Sequence, residues 1–393
     1  MNKIRNLCIV NEFPPRRNCG GVQTVNLILK NKLEQIGYNV YSFSTEATTE
    51  TLQYEFILPN KEIANSTENR QFLSTKIREL NIDVILYQGY TEELLQLCSK
   101  AKKETGVKLI YSYHRNPKAN IKEYDDYKEK IIQREKNWLQ RILKIFLLEL
   151  KRFVYVNKCI KAYRKELLSY PIENIDRIIT LDKHYTDYMK SLVPVRHHYK
   201  FLTILNPIEL TQQEQDYNKQ KQVLFIARQT YQKRLDRLLY IWKDIYSDFN
   251  DWELVIVGDG EYLQEYKKIA ENIKLQNVTF AGSQPAINYY KSSSIICMTS
   301  SHEGLPMTLI EAQVFGCIPV AYNSFSSLRE IIIHKHNGML IKPYRKKKFT
   351  ETLKELMSNE ETRDRISCNC KEFVSRFDVN NIIKEWISLL DQL

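Results

Sequence analysis

SSHEGLPMTLIEAQVFGCIPV, residues 300–320, begins on the end of one apolar run, IICMTSS (295–301), and closes on the start of another, IPVAYN (318–323). Between the runs, Met307 to Phe315 carries helical periodicity, and Pro306 suits a first helical turn. A buried strand, a loop, a helix and a second buried strand in so few residues form the crossover unit of a parallel sheet. The free N–H groups at such a helix start, together with its dipole, favour an anion. Glu303 lies in the loop and Glu311 about two turns into the helix, and carboxylates accept hydrogen bonds from sugar hydroxyls. The pair suits a ribose at one end and a hexose at the other, with phosphate between. A capped helix with one exposed acid is the plainer alternative. The single register shared by strand, loop acid, proline and second acid favours the ligand site.

The same alternation runs outward in both directions. The first half offers NLCIVNEF (6–13), VYSFST (40–45), VILYQ (84–88), KLIYSYH (108–114), RIITLD (177–182) and FLTILN (201–206), and the second VLFIAR (223–228), ELVIVGD (253–259), VTFAG (278–282) and the two runs above, then GMLIKP (338–343). Helical patterns separate them, so each half is a doubly wound candidate of class α/β. The polar, proline-started stretch 206–222 separates the halves. The expected organisation is a first domain over 1–206, a linker over 207–222, a second domain over 223–375 and a closing amphipathic helix in 376–393.

In open α/β sheets ligands bind beyond the carboxyl ends of the strands, so the residues just past each run carry the chemistry. Cys19-Gly20-Gly21 follows the first run and precedes a helical pattern, a place where backbone can approach a ligand. His114 ends KLIYSY, with Pro117 blocking continuation; a lone histidine there is more often structural. Arg228 ends VLFIAR, and Lys233 and Arg234 follow, so two or three cations gather at one strand end. A guanidinium fork and an ammonium together suit a diphosphate. Gly258-Asp259-Gly260 closes ELVIV, but no third glycine follows where a dinucleotide fingerprint needs one, and it is not read as an NAD site.

Composition sets the limits. The 393 residues, 43% apolar and 27% charged, suffice for two globular domains and contain no uninterrupted apolar run long enough to span a membrane. The run Leu7 to Val10 is too short for a signal peptide, so a cytoplasmic protein is expected. The eight cysteines have no Cys-x2-Cys pairing and read as small buried thiols in a reducing compartment. Of the net charge of +11, the segment 128–169 carries +8, from twelve basic and four acidic residues. Within it Leu139, Ile142, Leu143, Phe146, Leu150, Phe153 and Val154 share one helical face, flanked by Arg141, Lys144, Lys151, Arg152 and Lys158. A core-packed crossover helix would bury that face. The charge surplus favours docking on an anionic membrane surface instead.

The Glu303 and Glu311 pair inside EGLPMTLIEA, Arg228 and Lys233 after VLFIAR, Gly20-Gly21 and His114 together resemble glycosyltransferase family 4. The resemblance spans nearly the whole chain. It departs at Ala227, where glycine commonly precedes the arginine, and at Arg234, where glycine frequently follows the lysine. It implies two doubly wound Rossmann-like domains facing a central cleft (GT-B), with the C-terminal helix crossing back to the first domain. It also implies a retaining transfer of a hexose or N-acetylhexosamine from a nucleotide sugar, UDP favoured over GDP, to a glycan or lipid-linked acceptor. On this resemblance Arg228 and Lys233 hold the donor diphosphate, Glu311 takes the ribose hydroxyls, Glu303 the hydroxyls of the transferred sugar, and His114 reaches that sugar. Gly20, Gly21, Gly258, Gly282, Gly304, Leu305, Pro306, Met307 and Thr308 complete the implied donor surface. No D-x-D triplet occurs, so no metal and no cofactor beyond the donor itself is expected. Retention by same-face attack needs no nucleophile, whereas double displacement would need Glu303; the first route is favoured. An epimerase or phosphorylase of the same fold and a non-catalytic scaffold are the rivals. Nucleic-acid binding is not expected, because no such motif accompanies the basic segment.

Overall fold

The structure is a computed structural model that describes residues 5–17, 20–47, 54–89, 91–134, 137–169, 172–210 and 217–393. Cys19, Glu135, Lys136 and linker residues 211–216 lie outside the described residues, as do the side chains of Lys130, Arg134, Arg164, Lys165 and Glu166. By contacts the chain forms two units. The first comprises Met1–Pro117, Lys158–Glu209 and Phe377–Leu393, the second Lys118–Asn157 and Leu210–Arg376.

In the first unit the strands β1 (Asn6–Asn11), β2 (Asn39–Ser44), β3 (Glu55–Ile57), β4 (Val84–Tyr87), β5 (Lys108–Tyr113), β6 (Arg177–Thr180) and β7 (Phe201–Thr203) form one sheet in the order β3-β2-β1-β4-β5-β6-β7. Every pairing is parallel. Parallel neighbours need crossovers, here supplied by helices that include α1 (Gly21–Gln35), α2 (Thr67–Glu79) and α3 (Glu92–Thr105). The central strands β1 and β4 are buried on both faces, as such a sheet requires. Leu7 and Ile9 pack with Leu29 and Leu33 of α1, while Cys8 and Val10, pointing the other way, pack with Leu73 and Ile77 of α2. β3 has no counterpart in the sequence reading. It is a three-residue, half-buried edge strand, too short to show alternation.

The basic segment takes in the end of α4 (Ala119–Arg134) and all of α5 (Trp138–Ser169), and α6 (Lys183–Ser191) follows β6. The sequence reading places this segment wholly in the first domain, whereas by contacts residues 118–157 belong with the second unit. The physical reason is a buried carboxylate, Asp126 of α4, which pairs with arginines about a hundred residues further along.

The second unit's sheet has β8 (Gln220–Ile226), β9 (Glu253–Val257), β10 (Val278–Gly282), β11 (Ser293–Met298), β12 (Ile318–Tyr322) and β13 (Met339–Ile341) in the order β10-β9-β8-β11-β12-β13, again all parallel. β8 enters the stretch expected as linker. The helices are α7 (Leu235–Lys243), α8 (Leu263–Asn272), α9 (Ala286–Ser292), α10 (Met307–Val314), α11 (Leu328–Ile331), α12 (Lys346–Ser358) and α13 (Glu360–Phe373). Val223, Phe225, Trp242, Leu254, Ile256, Val320 and Phe349 are among the residues of its core.

The closing helix α14 (Val379–Leu390) belongs to the first unit. Ile208 N–H donates to Phe377 O and Val379 N–H to Ile208 O, which tie the returning chain to the end of the first unit's main segment. Ile382, Ile383, Trp386, Leu389 and Leu390 then pack in the cluster of Leu7, Ile9, Leu29 and Leu33. Cys8, Cys98, Cys297, Cys317 and Cys370 are buried free thiols, and burial raises their pKa; Cys368 is exposed, unlike the expectation for it. Among the described residues no helix is long and apolar enough to cross a membrane. Truncating the buried Trp386 to Ala should cost about 3–5 kcal/mol of first-unit stability, read from urea unfolding of the full chain.

Candidate functional site

In the second sheet the chain runs from β8 outward through β9 to β10, returns to β11 on the other side of β8 and continues to β12 and β13. The carboxyl ends of β8 and β11 are therefore the switch point of the sheet, the place where open α/β sheets bind ligands. Arg228, Lys233 and Glu303 all sit on the loops after these two strands.

The loops are zipped together. Ser301 N–H donates to Gln232 O at 2.9 Å, Thr299 Oγ1 to Arg234 O at 2.8 Å, and Gln232 Nε2 to His302 O at 2.6 Å. Lys233 Nζ then meets Glu303 Oε1 at 2.6 Å, both side chains being mostly shielded. The cation expected at a diphosphate and the carboxylate expected at a sugar thus come to one place from positions seventy residues apart. Arg228 is exposed just past β8. Arg234 does not join the cations. It is buried with its backbone left-handed (φ 53°, ψ 45°), and it forms ion pairs with Asp126 and Asp236. The glycine frequent at this position in the family that the sequence resembles is explained by that conformation, which costs a non-glycine residue about 1–2 kcal/mol.

Past β11, Gly304 to Pro306 lead into α10, whose first turn has no acidic residue and no side-chain cap, so its dipole favours an anion there. Leu305 and Met307 are buried and Thr308 is half-buried. Glu311 accepts a hydrogen bond from the buried Tyr290 Oη at 2.9 Å. Burial and the Glu311 carboxylate push the Tyr290 phenol well above its ordinary range, so it remains a donor. Gly258 is required by a close approach: a Cβ there would lie 2.0 Å from Ala227 O. Its N–H donates to Gly282 O at 2.6 Å. Gly282 itself ends the edge strand β10, two strands from β8. These two glycines shape the loop behind Arg228.

In the first unit the crossovers reverse at β1 and β4, and the residues past β1, β4 and β5 gather there. His114 is buried past β5, and its Nε2 is 2.7 Å from Gln88 Oε1, which makes Nε2–H the donor of a neutral ring. Burial lowers its pKa to about 4. His114 Nδ1 and Gln88 Nε2 are buried without a protein partner, which leaves one acceptor and one donor for a ligand. Gly20 (φ 135°) and Gly21 start α1, again without an acidic first turn or a side-chain cap, and both are exposed. Gln88, Gln232 and Tyr290 have no part in the sequence reading. Gln88 and Gln232 stand at strand-end positions that the reading passes over; Tyr290 gives no local signal.

A histidine neutral when folded and titrating near 6.5 when unfolded binds its extra proton only in the unfolded chain between about pH 6.5 and 4. Stability should therefore fall as pH drops through that window, by up to ~3 kcal/mol from this site. Comparing the urea midpoints of wild type and His114→Gln from pH 7 to 4 isolates the contribution; identical pH profiles would contradict it.

Comparison with known proteins places these features. Residues 208–373 match the family model described as Glycosyl transferases group 1, and residues 19–183 match the one described as Glycosyltransferase Family 4. The amylovoran biosynthesis glycosyltransferase AmsD of Erwinia amylovora is 30% identical over 229 residues, which are 55% of this chain and 62% of that protein. A poly(glycerol-phosphate) alpha-glucosyltransferase of Bacillus subtilis is 26% identical over 239 residues, 60% of this chain and 35% of that protein. The matched stretch thus spans less than two thirds of either relative. Anabaena HepE, solved with UDP and glucose, superposes with a TM-score of 0.74 at 13% identity, covering 98% of this chain and 100% of its own. The pneumococcal O-GlcNAc transferase GtfA, solved with UDP and GlcNAc, does so at 0.73 and 10% identity, covering 100% and 99%. Two Rossmann-like sheets of this order are the GT-B fold, and with a glycosyltransferase family model matched in each half the chain is a family 4-like glycosyltransferase.

Proposed function

We propose that the protein is a retaining, metal-independent glycosyltransferase that moves a hexose or N-acetylhexosamine from a nucleotide sugar to a glycan or lipid-linked acceptor in bacterial surface polysaccharide synthesis. The observation that carries this reading is the Lys233–Glu303 contact. One loop brings a cation for the departing diphosphate, and the other brings a carboxylate for sugar hydroxyls. UDP is favoured over GDP because HepE and GtfA were solved with UDP. The AmsD match supports a role in polysaccharide synthesis.

Departure of a nucleoside diphosphate loads negative charge on its phosphates. Arg228, Lys233 and the α10 amides, fixed in advance, stabilise that charge more in the transition state than in the ground state. In the same-face route the leaving phosphate oxygen takes the acceptor's proton, so no protein nucleophile is needed. Glu303 Oε1 is occupied by Lys233, which suits hydroxyl binding better than attack on the anomeric carbon. Glu311 is assigned the ribose. His114, neutral at pH 7, offers the transferred sugar hydrogen bonds without charge.

Arg228→Ala and Lys233→Ala should each lower turnover by well over an order of magnitude, with no effect of EDTA on the wild type. Glu311→Ala should mainly weaken donor binding and Glu303→Gln should mainly lower kcat. Nucleoside diphosphate release against a panel of UDP- and GDP-sugars reads all four. Full activity in the Lys233 variant, or loss with EDTA, would overturn the metal-free diphosphate assignment.

We place the enzyme at the inner face of the cytoplasmic membrane, held by α5. This helix packs on α4 with one side: Leu148 is buried, Tyr124 Oη donates to Leu148 O, Tyr124 stacks on Tyr155 at 4.8 Å, and Asp125 holds Arg152 at 2.5 Å. Arg152 is therefore not among the cations open to a surface. On the opposite side Leu139, Ile142, Leu143, Phe146, Leu150, Phe153 and Val154 are 54% to 70% exposed. A stripe that a globular protein turns inward here faces out, with exposed Arg141, Lys144 and Lys151 beside it. Each such cation contributes about 1 kcal/mol near an anionic leaflet. Binding to phosphatidylglycerol vesicles should weaken with salt and drop in Lys144→Glu/Lys151→Glu and in Phe146→Ser/Phe153→Ser. Equal binding to phosphatidylcholine, or dimerisation abolished by the Phe pair, would assign the face to something other than an anionic membrane.

A further inference from the structure

We propose that Glu123 and Asp126 of α4 are positioning residues for the donor site, each gripping one of its two loops through the immediate neighbour of a donor-contacting residue. The proposal rests on the reading of Lys233 and Glu303 as donor contacts. Asp126 is 1% exposed and accepts from Arg234 Nη1 at 2.6 Å, Arg237 Nη2 at 2.6 Å and Tyr344 Oη at 3.0 Å. Arg234 follows Lys233 directly. Glu123, three residues before Asp126 and so on the same helical face, lies 3.1 Å from His302 Nε2. His302 directly precedes Glu303. One short helix face thus holds the loop after β8 by one carboxylate and the loop after β11 by the other.

Arg234 explains why such a hold matters. Its left-handed backbone turns the chain between Lys233 and α7, and a non-glycine residue leaves that conformation readily unless its side chain is fixed. Asp126 on one side and Asp236 on the other fix it, with Arg234 Nε 3.0 Å from Asp236 Oδ1 and Nη2 2.9 Å from Oδ2. If Asp126 no longer accepts as a carboxylate, Arg234 keeps only Asp236, two residues away on its own chain, and the link from α4 to the Lys233 loop is weakened. The buried Arg234 and the largely shielded Arg237 would also share one carboxylate fewer. Neither Glu123 nor Asp126 is assigned a contact with the donor. Their effect passes through Arg234 and His302 to Lys233 and Glu303.

The test uses the full chain with Asp126→Asn, Glu123→Gln, Arg234→Gly and the Asp126→Asn/Arg234→Gly double variant. UDP and GDP affinities are measured by calorimetry, and unfolding midpoints are measured alongside. Losing a hydrogen bond to a charged group costs about tenfold to a hundredfold in affinity. Asp126→Asn should therefore weaken the nucleotide by about tenfold or more and Glu123→Gln by a few-fold, with the Glu123 midpoint unchanged because that side chain is half exposed. The double variant should bind no worse than Arg234→Gly alone, since both changes cut the same link. Affinities within twofold of wild type in Glu123→Gln and Arg234→Gly would overturn the proposal even if Asp126→Asn does not fold. Should Lys233→Ala itself leave nucleotide affinity intact, the donor assignment fails instead, so the two failures are distinguishable.

Discussion

The order of strands around β8 is the constraint from which the rest of the second unit follows. With β9 on one side and β11 on the other, right-handed crossovers send the chain to opposite faces of the sheet, so the first residues after β8 and β11 stand at the switch point of its carboxyl edge. Lys233 and Glu303 lie there, and the hydrogen bonds from Ser301, Thr299 and Gln232 join the two loops that carry them.

Electrostatics then separates the basic residues near that edge by role. A diphosphate needs cations that can meet it, and a fold needs its buried cations paired. Arg234 and Arg237 are shielded and share Asp126, so they serve the fold. Lys233 pairs with Glu303 of the neighbouring loop, and Arg228 stands exposed. The same division holds in the first unit, where burial discharges His114 and leaves it a hydrogen-bonding group.

The helix α5 inverts the ordinary rule for soluble helices. Its polar contacts, Arg152 to Asp125 and Lys128 to Glu149, face the protein, and its largest apolar side chains face away. Since Asp126 ties α4 to Arg234 and Arg237 and α5 is packed on α4, the exposed apolar stripe and the helix that holds the loop after β8 belong to one hairpin.

Much of this was legible in the sequence because strand and helix periodicities are local, and because the residues that follow a parallel strand fall at the ligand edge wherever the strand is placed. Twelve stretches read as strands are strands, and Arg228, Lys233, Glu303 and the α10 start lie where those positions predict. The resemblance to a known family added the roles, which no periodicity contains. Tertiary structure alone decided which carboxylate meets which cation. Asp126 and Arg234 are 108 residues apart, and composition cannot distinguish an arginine bound for a phosphate from one bound for an aspartate. It also decided that residues 118–157 pack with the second unit, and that the apolar stripe of α5 is exposed. Amphipathic spacing defines a face, but which way that face turns depends on what else is packed against the helix.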